Sequence, residues 1–324
     1  MSVSTGVRGR VRWAAMLAVA AVVLGTAAPT SATTTPTAPP PGTAQQVSAL
    51  VGAAPRVGAL PATSFPALAA EGNDSVSRFD PTTAHGCYGV GACVFGDRTA
   101  RRTIVLFGDS HAQMWLPAVS AAGVTLGYRV VLLYLGGCPF AWVTVWNPTA
   151  VGPFPAGYYH FCDAFRARAI RSIERLHPSL VLLSNRTSLL DVSPTHYFDR
   201  AQWQRGVRTT VRMLRRHVRH VAVIGDVVYM ERTLPQCLAA YPSTVQSCST
   251  QNPNLAAHGH EAAERDAAKA AGARFINTLP WVCTARCSPV IGPFLVYLNQ
   301  AHLDVTYVTY LSRVMTSAVR RVLH

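Results

Sequence analysis

Residues 102–117 read RTIVLFGDSHAQMWLP, and the fold follows from how this stretch changes character along its length. Ile104 to Phe107 is a continuous apolar run, the pattern of a strand covered on both faces. Gly108 breaks it, and Asp109, Ser110 and His111 stand where the strand gives way to a helical segment. In an open α/β sheet, ligands and reacting groups gather in the crevice beyond the carboxyl ends of the strands. Gly-Asp-Ser is also ordinary turn chemistry, with glycine supplying the tight backbone and Asp or Ser the helix cap. The rest of the chain decides between a cap and a reactive serine.

Outward from this stretch, strands and helices alternate. Strands are predicted at Thr103–Phe107, Arg129–Leu135, Leu180–Ser184, Val221–Ile224 and Arg274–Ile276, and helices near Met114–Leu126, Ala164–Leu176, Phe198–Arg216, His258–Ala271 and Val305–Leu323. Runs such as VVLLYL and LVLLS show no polar alternation, so a parallel sheet flanked by helices is expected. The predicted fold class is α/β, one three-layer α/β/α domain whose central, mainly parallel sheet has about five strands. Two connections are long, Gly136 to Phe161 and Val227 to Ala257. Both begin past a predicted strand, on the sheet edge that carries Ser110, and long connections in compact domains tend to be functional.

Composition narrows the function classes. The 324 residues are 49% apolar and 14% charged, enough for a sizeable core in one large domain or two small ones. The net charge of +14 is carried almost wholly by arginine, Lys269 being the sole lysine. That balance permits contact with anionic envelope polymers or membrane surfaces. Nucleic acid is not an expected partner, because the arginines are scattered and no recognition motif is present.

Arg8, Arg10 and Arg12 precede an apolar segment from Trp13 to Ala28, followed by Thr30-Ser31-Ala32. This is the three-part pattern of a secretory signal peptide over residues 1–32, and a secreted or extracytoplasmic location follows. The apolar run is short for a membrane span, so cleavage is preferred to an uncleaved N-terminal anchor. A Thr/Pro-rich linker over 33–44 leads to a domain over 45–324. Its N-terminal arm, about 45–100, holds a short helix and the Pro-punctuated stretch LPATSFPALAA, expected on the outside. Export gives the eight cysteines meaning, since disulfides persist in oxidising compartments. They fall in four sequence-local pairs, Cys87-Cys93, Cys138-Cys162, Cys237-Cys248 and Cys283-Cys287, among roughly a hundred possible pairings. Zinc is the rival at Cys283-x-x-x-Cys287, but no second pair or histidine cluster accompanies it, so no metal is expected.

A serine hydrolase needs a base for the serine proton, a group that orients that base, and donors for the oxyanion. Of 11 histidines, His111 adjoins Ser110 but is turned away by the backbone, while His217, His220, His258 and His260 read as surface residues at helix ends. His302 differs, lying in YLNQAHLDVTYV after the last predicted strand and before the terminal helix.

Gly108-Asp109-Ser110-His111-Ala112, together with His302-Leu303, resembles the SGNH hydrolase superfamily. More narrowly, the chain is similar to the SGNH domain fused to membrane acyltransferase-3 domains in bacterial envelope O-acetylation proteins. Cys138-Pro139, Trp281-Val282-Cys283, Cys287-Ser288-Pro289 and Tyr297 extend the likeness, which covers about residues 55–324. The resemblance implies a flavodoxin-like SGNH fold, with Ser110 as nucleophile and His302 as base. The oxyanion donors it implies are the backbone N–H groups of Ser110 and Gly137, with Asn185, which ends the strand LVLLSN, as a third; Asn185 could equally just close a turn.

One position departs from the family's Asp-x-x-His block, because Asn299 stands where the orienting Asp is expected. An amide oxygen can accept the Nδ1–H bond, but it gives imidazolium no charge stabilisation, and a flipped amide presents the wrong group. Loss of the triad Asp in a serine protease lowers turnover on the order of ten-thousand-fold. Asp304 is an alternative carboxylate, and a Ser-His dyad is another. The reading is thus an exported serine esterase or O-acyltransferase, O-acetyl in character, acting on an acylated envelope polysaccharide or glycolipid. The alternative is a catalytically impaired glycan-binding or scaffolding protein of the same fold. Tyr134, Trp142, Trp146, Tyr158 and Tyr159 are candidates for a sugar-stacking wall. No cofactor is implied, a monomer is expected, and a separate membrane acyltransferase is a candidate partner. Activity is expected to rise with pH as His302 becomes neutral.

Overall fold

The five predicted runs become the parallel strands of one sheet: four are buried along nearly their whole length, and the fifth, Arg274–Ile276, is a half-exposed edge strand. The protein is described here from a computed structural model covering residues 37–80, 87, 93–147, 150, 155–188, 190–193, 195–251 and 260–324. In chain order the main elements are α1 (Ala44–Ala53), β1 (Val94–Gly96), β2 (Thr103–Gly108), α2 (Ser110–Leu126), β3 (Arg129–Tyr134), α3 (His160–Leu176) and β4 (Leu180–Ser184). They continue with α4 (Arg200–Arg215), β5 (His220–Ile224), α5 (Glu261–Ala270), β6 (Arg274–Ile276), α6 (Val305–Tyr310) and α7 (Ser312–Leu323).

The sheet order is β1-β3-β2-β4-β5-β6. All neighbours are parallel except β1, which runs antiparallel to β3. The parallel part has the flavodoxin-like order 2-1-3-4-5, whose topological switch point lies between β2 and β4. Six strands replace the expected five because β1 spans three residues, too few for an apolar run to register. Along β2, Ile104 and Leu106 enter one core cluster while Val105 and Phe107 enter the other. The side-chain period of a strand is two, so a run apolar at every position fills both layers at once. One layer holds α1, α2, α6 and α7, and the other holds α3, α4 and α5.

Local chemistry sets the boundaries. Helix α2 starts at Ser110, earlier than predicted, because Asp109 caps it by accepting the His111 N–H at 2.8 Å. The terminal helix is interrupted at Leu311. Gly108 is required by close approach, since a Cβ there would lie 1.7 Å from the Ser184 carbonyl oxygen. The two strand ends at the switch point therefore touch.

The linker ends at Thr43, which forms a capping box with Gln46, and Gly42 N donates to Tyr310 O at 2.9 Å. The arm is not simply external, because α1 buries Val47 and Val51 in the core. The predicted signal peptide, the start of the linker and His258 lie outside the described residues.

All four sequence-local disulfides are formed. Cys283–Cys287 leaves neither sulfur as a thiolate, which removes the zinc alternative there. Cys138–Cys162 spans 24 residues and ties the Gly136 loop to the start of α3. Replacing both of these cysteines by Ala is expected to lower unfolding stability by about 3.5 kcal/mol, the loop-closure value for this span. Denaturant unfolding with hydrogen exchange checks this. Protection should fall over residues 136–147 and persist in β2, and equal loss in both would contradict it.

Candidate active site

Ser110 is the first residue of α2, at the carboxyl end of β2, where N–H groups without intrahelical partners favour negative charge. Asp109 locks this corner: its Oδ1 accepts the His111 N–H, and its Oδ2 accepts the Arg186 N–H at 3.0 Å, beyond β4. Burial pushes the Asp109 carboxyl up to about 6 against the pull of His111 and of these two donors.

Opposite it, residues 297–303 form a tight loop, with Tyr297 bridged to Leu303 and Leu298 N donating to His302 O at 2.9 Å. Gln300 pins the loop: its carbonyl accepts Met230 N at 2.7 Å, and its side-chain amide donates to Met230 O and Glu231 O. His302 Nε2 then stands 2.8 Å from Ser110 Oγ.

Asn299 is oriented without ambiguity. Its Oδ1 accepts from Ala301 N at 2.9 Å and His302 N at 3.0 Å, and backbone N–H groups can only donate. The amide oxygen is thereby fixed toward His302 Nδ1, 3.1 Å away, so Nδ1 carries the proton and Nε2 presents its lone pair to Ser110. A flipped amide would set its NH₂ against two backbone donors. The tautomer needed for a general base is thus imposed by an uncharged group.

His111 is not simply turned away from the site. Its Nδ1 meets Asp226 Oδ1 at 2.7 Å, and its ring contacts that of His302 edge to face, with centroids 4.9 Å apart. Asp226 also accepts from Val227 N, Thr187 N and Thr187 Oγ1. Burial opposes charge on both partners, but their mutual attraction outweighs it: Asp226 lies below the ordinary carboxylate range and His111 above the ordinary histidine range. They form a buried ion pair. Sequence reasoning passed over Asp226, although its signal was available: VLFGD at 105–109 and AVIGD at 222–226 each carry an apolar strand into Gly-Asp.

His302 is pushed down to about 3, first by burial and then by the positive charges of His111 and Arg186, with Asp226 opposing. It is therefore neutral well below pH 7, and the rise in activity expected from its deprotonation is complete far below neutrality. Asp304 is not the missing carboxylate. It is buried, both its oxygens lack a hydrogen-bond partner among the described residues, and burial with Asp74 and Glu71 nearby raises it to about 10.

Asn185 is fully buried at the end of β4, and its amide donates to Glu264 Oε1 at 2.8 Å. Glu264 is raised well above the carboxylate range by burial, so this contact joins β4 to α5 through a protonated acid. Gly137 lies in the turn after β3, where Cys138 N donates to Leu135 O. Ser110 and His302 open on a cavity of about 250 Å³ whose walls include Gln113, Met114, Leu298 and, from the arm, Ser75 and Ser77.

None of the five candidate wall aromatics lines that cavity. Tyr134 and Tyr159 are buried, with their hydroxyls bonded to Gln113 and Gly136 O. Trp142 lies against Arg166, whose guanidinium donates to Ala141 O and Val143 O and holds the loop on the α3 side. Of the histidines read as surface residues, His260 is half-buried, stacked on Trp203 and bonded to Phe198 O.

A serine at the carboxyl end of β2 is thus joined to a histidine of the 297–303 loop on a flavodoxin-like sheet, the pairing of a serine hydrolase-type site. A family model described as the SGNH domain fused to AT3 domains matches residues 75–317, and the chain belongs to that family. Among solved structures it is similar to the periplasmic domain of a lipopolysaccharide acetyltransferase from Salmonella ser. Paratyphi A. The two are 16% identical, with 74% of this chain and 88% of that chain covered and a TM-score of 0.51. A GDSL-like lipase from Bacteroides thetaiotaomicron is 12% identical over 76% of this chain and 98% of its own, with a TM-score of 0.40. An acetyl-xylooligosaccharide esterase variant from Geobacillus is 10% identical over 70% and 96%, with a TM-score of 0.39. No curated protein matches the chain. Among the described residues, no helix is long and apolar enough to cross a membrane.

Proposed function

We propose that the protein is an exported serine esterase or O-acyltransferase acting on short acyl esters of a cell-envelope glycan. Ser110 is the nucleophile, His302 the base and Asn299 the orienting residue. The carrying observation is the 2.8 Å contact between Ser110 Oγ and His302 Nε2, with the opposite ring nitrogen fixed by Asn299. Disulfides fit an oxidising compartment, in keeping with a signal peptide over 1–32 and a mature domain from about residue 45.

In this reading Nε2 takes the Oγ proton as Oγ attacks the acyl carbonyl carbon. The oxyanion is received by the backbone N–H groups of Ser110 and Gly137. As the tetrahedral intermediate collapses, the bond to the sugar oxygen breaks and His302 returns the proton to that oxygen. Water or another hydroxyl, deprotonated by His302, then attacks the acyl-serine and restores Ser110. Asn185 gives one N–H of its amide to Glu264, and its second N–H remains as a third candidate oxyanion donor. The Salmonella neighbour is a lipopolysaccharide acetyltransferase domain, which favours an envelope glycan as substrate and a separate membrane acyltransferase as acyl source.

A second reading, a glycan-binding protein without turnover, is favoured by Asn299 and the low basicity of His302. A fluorophosphonate probe separates the two. Labelling confined to Ser110 supports the enzyme, and no labelling of native protein with labelling gained in Asn299→Asp supports the binding protein.

A further inference from the structure

The end of the sheet opposite Ser110 carries charge that the acyl-transfer reading leaves unused. There the carboxyl ends of the helices meet the amino ends of the strands. Arg215 closes α4, Arg219 precedes β5 and Arg274 opens β6, and all three are exposed. With His220, Gly272 and Val322 they line a cavity of about 260 Å³. Exposed Arg320 and Arg321 end α7 beside it.

Part of this is local bonding to carbonyls, in the connection after α4 for Arg215 and at the end of α7 for Arg274, which caps it. Arg215 donates from Nη1 to Val218 O and Arg219 O, and Arg274 donates from Nη1 to Arg321 O. Cations at helix carboxyl ends are ordinarily favourable. This bonding leaves three facts over. Each of these two arginines spends one nitrogen of its fork, so the others remain available. Arg219 has no side-chain hydrogen bond or ion pair among the described residues. No ion pair of the described residues takes in Arg215, Arg219 or Arg274; the nearby Glu174 instead faces His217 at 3.4 Å. His220 feels the crowding, held below the ordinary histidine range first by burial and then by Arg219, Arg274 and Arg215.

We propose that Arg215, Arg219 and Arg274 form a binding site for a phosphate group at this end of the sheet. Like charges gathered around one cavity without a carboxylate repel each other until an anion joins them. Guanidinium forks match phosphate oxygens, and three forks exceed what the two oxygens of a carboxylate can serve. The phosphate can belong to a lipid headgroup or be free in solution. The site is remote from Ser110, so its test does not depend on any ester chemistry.

The full oxidised chain is titrated calorimetrically with inorganic phosphate, using chloride at matched ionic strength as the blank. Three variants are compared: Arg219→Ala, which removes no recorded bond; Arg215→Gln with Arg274→Gln; and Arg205→Gln with Arg313→Gln. The last pair alters two exposed arginines elsewhere and matches the charge change. Phosphate affinity is expected to drop roughly tenfold or more in the first two, the scale of one charged hydrogen bond, and to hold in the third. Co-sedimentation with phosphatidylcholine vesicles, with and without phosphatidylglycerol, then assigns the source. Lipid-dependent sedimentation lost in the first two variants identifies a headgroup, and phosphate binding without sedimentation identifies a free phosphate. Absence of phosphate binding by the native chain overturns the site, as does equal weakening in the Arg205/Arg313 control.

Discussion

Ser110→Ala and His302→Gln, made singly and together, are expected to lower kcat/KM for a short ester by one common factor, on the order of ten-thousandfold. The two side chains act as a unit. Ser110 Oγ has His302 Nε2 as its recorded partner, and Nε2 has no other proton to take. Removing either leaves the oxyanion donors and the cavity, so the double variant should be no worse than the single ones. Steady-state kinetics with an acetyl ester checks this, alongside thermal melting to show that each variant folds. Losses that multiply in the double variant would mean that two separate catalysts had been removed, and the proposed pair would be wrong.

Asn299→Asp is expected to raise kcat/KM roughly 10- to 100-fold and to move the acid limb of the pH profile upward. The ten-thousand-fold penalty of the protease example includes a wrong tautomer. Here Asn299 Oδ1, held by Ala301 N and His302 N, already enforces the right one. What an aspartate adds is charge, at an atom already within 3.1 Å of Nδ1. In the native chain His302 is the base form above about pH 3, so activity should be level from mildly acid to neutral pH. Beside a carboxylate its pKa rises, so the base form is lost at a higher pH and the limb shifts toward neutrality. The rate above that limb grows because a base is most effective when its pKa lies near the working pH. A folded Asn299→Asp variant with an unmoved limb would show that this residue does not face the base.

Much of the fold was legible because the parallel strands carry continuous apolar runs between their ends, and Ser110, His302 and Asn299 were legible as candidates because they lie in two short motifs. The disulfides were legible as local pairs. What escaped notice depends on distance along the chain. Asp226 meets His111 across 115 residues, and Asn185 meets Glu264 across 79, so no local pattern joins them. The course of the aromatic loop was not legible for a related reason. Its direction is set by buried Arg166, a residue that reads in sequence as one more solvated helix cation. Strand β1 was missed because its pairing with β3, not its own composition, makes it a strand.

The ion pair of His111 and Asp226 gives the site a polarity with consequences for the order of difficulty of its steps. A pair of opposite charges acts as a dipole, and His302 sits nearer the positive end, against the His111 ring. Its field therefore resists the arrival of a proton on His302 and assists its departure. In the proposed reaction, taking the serine proton is then the uphill step, and handing it to the departing alcohol oxygen is downhill. Such a bias commits the reaction at the moment of attack. Turnover should then be governed by how electrophilic the acyl carbon is and should be nearly indifferent to how well the alcohol leaves, a tolerance that fits the proposed glycan esters.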